Sequence, residues 1–147
     1  MKNTGKTSQE IFELKMRVRH GKLCFVYRLQ DAGELTGLNR GLSKKKSGFV
    51  ATKKNASDYI VTENGVMYYC EVKSSQNATS FPFANFEEGQ WQAMRQQRAA
   101  NGLYWIFIHN LNTDFWYRVP STLVLDITDS GRASVKWEEL KPYFWSF

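Results

Sequence analysis

The sequence predicts an α/β domain, and three features carry that expectation. An Asn64-Gly65 pair lies between two runs rich in β-branched and aromatic residues, 59–62 and 66–72, which is the strongest short-range signal for a two-residue hairpin. A helical stretch from about Phe86 or Glu87 to Ala100 separates that hairpin from two further apolar runs, 103–108 and 115–119, so a helix crosses over between strands. The 147 residues fit one domain able to bury a core, and 15% aromatic content excludes disorder over most of the length.

A formal net charge of +6 and a pI near 9.4 favour a polyanionic partner, although many basic proteins bind nothing in particular. No stretch approaches a membrane span and the N-terminus lacks the apolar core of a signal peptide, so a soluble intracellular protein is expected, with no membrane partner. Cys24 and Cys70 stand far apart without CxxC spacing, which indicates neither a disulfide framework nor a zinc site. Asn77-Ala78-Thr79 matches a glycosylation triplet, a coincidence in a chain without a secretory signal.

In chain order, Thr7 and Glu10 have capping-box spacing and Gly21 sits where a helix ends, predicting a helix over 8–20 with Ile11, Leu14 and Val18 on its apolar stripe. Glu13 and Arg17 read as a surface ion pair. Glu10 is either a capping residue, a third site carboxylate, or both in different states. Residues 23–29 alternate as a strand. The run from Arg40 to Lys54 then carries Arg40, Lys44, Lys45, Lys46, Lys53 and Lys54 without an acidic residue. It is either a solvated loop that aids solubility or a protruding element that leads a phosphate backbone towards Asp58, each neutralised phosphate adding a salt-dependent increment to binding.

Beyond the hairpin, a polar loop closed by Pro82 leads into the helix. Trp91, Met94 and Arg98 share one side of it and Gln90, Gln97 and Asn101 another, the latter either a polar face or holders of phosphate or water. After the strand at 115–119 the pattern predicts a short strand from Leu123, a turn at Gly131, a strand over 133–136 and a small helix over 137–140. The aromatic tail 143–147 is either packed or part of a subunit contact. His109, at a strand end, reads as structural, and with His20 it makes only two histidines, which excludes a His-Asn-His nuclease.

The hairpin also carries chemistry. With Asn64 and Gly65 as the turn, Glu63 pairs with Val66, and counting outward sets Asp58 directly opposite Glu71, on one face and about 5 Å apart at Cβ. Lys73 lies on that face too, two residues further along. Facing carboxylates destabilise a sheet unless a divalent cation sits between them; Mg²⁺ takes oxygen ligands and commonly uses one or two carboxylates, with water and phosphate completing its shell. A lysine alongside can orient the attacking water or offset charge on the phosphate. The bland reading of the same residues is an exposed hairpin with ordinary solvated charges.

Residues from Asp58 to about Asn110 resemble the RecU family of Holliday-junction resolvases within the PD-(D/E)xK nuclease superfamily. The matching residues are Ser57-Asp58-Tyr59, Glu71-Val72-Lys73, the run from Asn77 through Thr79-Ser80-Phe81-Pro82-Phe83 to Asn85-Phe86, then Gln90 and Met94; Gly89 stands where members usually carry histidine. The resemblance implies a restriction-endonuclease-like core, a mixed central sheet flanked by helices in a single domain over 1–147, with a basic stalk-like insertion at about 36–54. It implies a homodimeric, Mg²⁺-dependent endonuclease, with Mn²⁺ able to substitute, that nicks paired strands of four-way DNA junctions. Asp58, Glu71 and the Val72 carbonyl would hold metal, Lys73 would act on the water and Gln90 would support the site. The setting would be the cytoplasm of a bacterial cell, or of a host cell if a phage encodes the chain. Two other readings use the same residues: a restriction- or repair-type endonuclease of this fold, and a catalytically inactive DNA-binding module.

Overall fold

The computed structural model describes residues 5–20, 23–29 and 55–147. The predicted stalk, with Arg40, Lys44, Lys45, Lys46, Lys53 and Lys54, lies outside them, as does the predicted helix cap Gly21. Helix α1 (Gly5–His20) is followed by β1 (Cys24–Arg28), then by the hairpin β2 (Tyr59–Glu63) and β3 (Val66–Ser75). A short β4 (Ser80–Pro82) leads through a 3-10 turn (Phe83–Asn85) to α2 (Glu88–Ala99), β5 (Tyr104–Asn110) and β6 (Phe115–Pro120). The chain ends with α3 (Ser121–Asp129), β7 (Ser134–Lys136), a 3-10 segment (Trp137–Tyr143) and β8 (Phe144–Trp145).

The main sheet has the order β1-β2-β3-β5-β6-β8, and β4 pairs with β7 separately. Only the β3–β5 pairing is parallel among the described strands, because α2 carries the chain back to the start of the sheet between them. Strand alternation sorts the side chains into two apolar layers. On one face Tyr59, Val61, Cys70, Val72 and Phe107 pack against Phe12 and Met16 of α1. On the other, Ile106, Ile108 and Val119 pack against Met94 of α2 and Val124 and Leu125 of α3.

Three expectations are corrected. Helix α1 begins at Gly5, so Thr7 lies inside it rather than capping it. Its buried stripe is Ser8, Phe12 and Met16, while Leu14 and Val18 are exposed; the two stripes differ by a rotation about the helix axis, and the larger Phe12 and Met16 side chains take the sheet. The segment read as a strand from Leu123 is α3. Its β-branched content suggested a strand, yet Ser121, Val124 and Leu125 are its buried residues, the i, i+3, i+4 spacing of a helix. The aromatic tail packs: Trp145 and Phe147 lie against the α1-side layer.

Candidate active site at the β2–β3 hairpin

Asn64 and Gly65 adopt φ of 51° and 79°, the left-handed pair that a type I′ turn requires. The register runs from Glu63↔Val66 to Tyr59↔Cys70, and one further step sets Asp58 opposite Glu71, as counted from the sequence. The two acids are interlocked through the backbone. The Asp58 N–H donates to Glu71 Oε2 at 3.2 Å, and the Val72 N–H donates to Asp58 Oδ2 at 3.0 Å.

Glu71 is 1% exposed. Lys73 Nζ stands 3.1 Å from its Oε1, and the Gln90 amide donates to the same oxygen at 2.6 Å. The amide cannot be reversed without loss, because the Gln90 carbonyl accepts the Glu87 N–H at 2.8 Å at the start of α2. The Lys73 ammonium also lies over the Phe86 ring, 5.7 Å from its centre. Burial, then the Asp58 charge, push the Glu71 carboxyl up to about 8, against the opposing pull of Lys73. One ammonium therefore does not fully compensate the buried charge.

That imbalance is the test of whether a divalent cation suits the site. The donors are carboxylate oxygens, and the buried acid calls for more positive charge than Lys73 supplies, so a hard cation fits. No group of three or more His, Cys, Asp or Glu converges among the described residues, so water and substrate phosphate would supply the remaining positions.

Asp58, Glu71, Lys73 and Gln90 are thus brought together, with Val72 between the two charged residues of β3. Glu10 is not: it is exposed on α1, the helix packed on the opposite face, and among the described residues no hydrogen bond or ion pair joins it to the pair. Glu13 accepts the Tyr59 hydroxyl at 2.7 Å and lies 3.9 Å from Arg17. Sequence reasoning missed Tyr104. Its buried hydroxyl donates to the Ala56 carbonyl at 2.7 Å, and its oxygen lies 3.4 Å from Glu71 Oε2, tying the segment before Asp58 to β5. Nothing in a strand beginning with tyrosine separates that role from ordinary core packing. The run from Asn77 to Phe86 proves to be scaffolding: the Asn77 side chain caps the turn by accepting the Thr79 and Ser80 N–H groups, Phe81, Phe83 and Phe86 are core, and Asn85 donates to the Ser74 carbonyl at 3.3 Å.

A mixed sheet flanked by helices, with an acid pair and a lysine on its central hairpin, has the architecture of the restriction-endonuclease-like class. The family model of Recombination protein U, RecU, matches residues 37–146, about three-quarters of the chain, and the chain belongs to this family of Holliday junction resolvases. Among solved structures, Hjc, a Holliday junction resolvase from Archaeoglobus fulgidus, is similar in fold: the TM-score is 0.51 at 14% identity, over 93% of each chain. No curated protein matches the chain. No helix among the described residues is long and apolar enough to cross a membrane.

Proposed function

We propose that this endonuclease resolves four-way DNA junctions by metal-dependent hydrolysis, making paired nicks as a homodimer with Mg²⁺, or Mn²⁺ in its place. The observation that carries the reading is the convergence of the Asp58 N–H, the Lys73 ammonium and the Gln90 amide on one buried carboxylate, Glu71. Asp58 and Glu71, with the Val72 carbonyl, would hold the cation. When bound, it supplies Lewis-acid polarisation of the phosphoryl oxygen and a more acidic water. Lys73 orients the attacking water and offsets charge that grows on the phosphate, while Gln90 holds Glu71 in place. Arg40, Lys44, Lys45, Lys46, Lys53 and Lys54 add phosphate contacts that weaken as salt rises. A twofold dimer offers two sites to a substrate of near-twofold symmetry.

The test is cleavage of labelled four-way junction, linear duplex and single strand in Mg²⁺ and in Ca²⁺. Symmetric nicks confined to the junction and dependent on Mg²⁺ are expected. Equal cutting of plain duplex would instead point to a restriction- or repair-type enzyme, and wild-type cleavage by Asp58→Asn would refute the site.

A further inference from the structure

Asp58 lies just beyond the last rung of the β2–β3 ladder, whose register ends at Tyr59↔Cys70. Its N–H goes to the Glu71 side chain rather than to a backbone carbonyl of β3, so the acid pair is held by bonds that a sheet alone does not supply. Two of them lie within the hairpin: the Asp58 N–H to Glu71 Oε2 and the Val72 N–H to Asp58 Oδ2. Both end on carboxylate oxygens, the atoms on which a hard cation would draw. The place of Asp58 while a cation binds therefore depends on contacts that leave the carboxylates free.

The described residues supply such contacts. The Leu29 N–H donates to the Asp58 carbonyl at 2.8 Å, the buried Ser57 hydroxyl to the Tyr59 carbonyl at 2.7 Å, and the Tyr104 hydroxyl to the Ala56 carbonyl at 2.7 Å. The Leu29 bond comes from the end of β1, the outermost described strand on that side, and the Ser57 bond spans two residues. The Tyr104 bond instead reaches from β5, on the other side of β3, in the middle of the sheet. Tyr104 is buried, and its ring stacks 6.3 Å from that of Tyr69, its partner in the β3–β5 register. Because the hydroxyl oxygen also lies 3.4 Å from Glu71 Oε2, one phenol reaches both acids: Glu71 directly, and Asp58 through the backbone two residues before it. Packing does not account for that hydroxyl, since phenylalanine would fill the place of the ring without a polar group to satisfy.

We propose that Tyr104 is a positioning residue of the nuclease site, its hydroxyl fixing the backbone at Ala56 and thereby setting Asp58 against Glu71 at the spacing a cation needs. The inference rests on the metal-dependent hydrolysis proposed above and adds a residue to it. Placement matters at this scale, because a shift of about 1 Å in a reacting group costs up to about 100-fold in rate. Tyr104 touches neither phosphate nor attacking water in this role. It acts through the two acids, which remain with Lys73 the groups that meet cation and substrate.

The test compares the full chain as wild type, Tyr104→Phe and Tyr68→Phe. Tyr68→Phe controls for the simple loss of a buried hydrogen bond, since its hydroxyl donates to Glu63 at 2.8 Å in the α1-side layer, away from the acids. Both variants keep their rings and should fold, with similar losses of melting temperature. Mn²⁺ affinity, followed by electron paramagnetic resonance without turnover, should fall at least about tenfold in Tyr104→Phe and stay at the wild-type value in Tyr68→Phe. At subsaturating Mg²⁺, Tyr104→Phe should lose cleavage rate on saturating junction by a similar factor while its half-saturating junction concentration is unchanged. Nuclear magnetic resonance gives a readout that needs no variant: in wild type, Mg²⁺ should shift the Tyr104 hydroxyl proton and leave that of Tyr68 in place. Wild-type Mn²⁺ affinity in Tyr104→Phe, or equal losses in the two variants, would overturn the positioning role and leave metal-dependent hydrolysis intact. Should Tyr104→Phe not fold, a Tyr104 proton that ignores Mg²⁺ in wild type that still cleaves would overturn it in the same way. Wild type that neither binds Mn²⁺ nor cleaves the junction would overturn both.

Discussion

The two faces of β3 differ in what the fold asks of them. Cys70 and Val72 point towards α1 into a layer of interlocking rings, where Phe12 lies 5.2 Å from Tyr59 and 4.7 Å from Phe107. Glu71 and Lys73 alternate to the other face, where a buried acid contributes nothing that an apolar residue would not supply better. One face supplies packing, and the other carries the acid and the lysine that the proposed function assigns to catalysis. Substitutions on the two faces should therefore separate stability from activity.

The largest separation is expected at the acid pair. Asp58→Asn or Glu71→Gln should lower junction cleavage by at least about 10²–10³-fold, the scale of removing one preorganised electrostatic group, while junction binding in Ca²⁺ stays close to wild type. Single-turnover cleavage and a mobility-shift titration measure the two. The mirror experiment is Phe107→Ala on the α1 face, which should destabilise the protein by about 3–5 kcal/mol in urea yet leave cleavage per folded molecule unchanged at low temperature. A smaller effect follows from Gln90→Ala. Removing the 2.6 Å bond that orients Glu71 should cost about 10–100-fold in metal affinity or rate, with a loss of stability of about 1–3 kcal/mol because the buried carboxyl and the Glu87 N–H each lose a partner.

The smallest effect concerns pH in the metal-free protein. The folded state holds the Glu71 proton up to about 8, far above the ordinary carboxylate value of 4.5. Its contribution to stability is fully present below about 4.5, falls as the unfolded chain releases its proton first, and is lost once pH passes about 8. Melting temperature should therefore decline over that window more steeply in wild type than in Glu71→Gln. Added Mg²⁺ at alkaline pH should raise it in wild type alone.

Local signals made much of this legible. The Asn64-Gly65 turn dictates the hairpin, and a period-two strand then leaves Asp58 and Glu71 no choice of face. Helix α2 and strands β5 and β6 follow equally local patterns. What escaped depends on contacts distant in sequence. Ser8 is buried in α1 because its hydroxyl meets His109 Nδ1 at 2.9 Å, a partner that apolar periodicity does not reveal. His109, expected to be structural, is held on its other side by Asp114 at 2.7 Å and stacks on Trp116. Helix α3 follows Pro120 directly, and its Leu-Val-Leu run satisfies strand and helix patterns alike until the buried spacing is known. Tyr104 acts through Ala56, which precedes it by 48 positions.

Titration of Mn²⁺ into metal-free wild type, Asp58→Asn and Glu71→Gln, followed by electron paramagnetic resonance, probes the acid pair without relying on turnover. Facing carboxylates on adjacent strands should give saturable binding in wild type that either substitution abolishes. Equal uptake of Mn²⁺ by all three proteins would place the cation elsewhere and contradict the account.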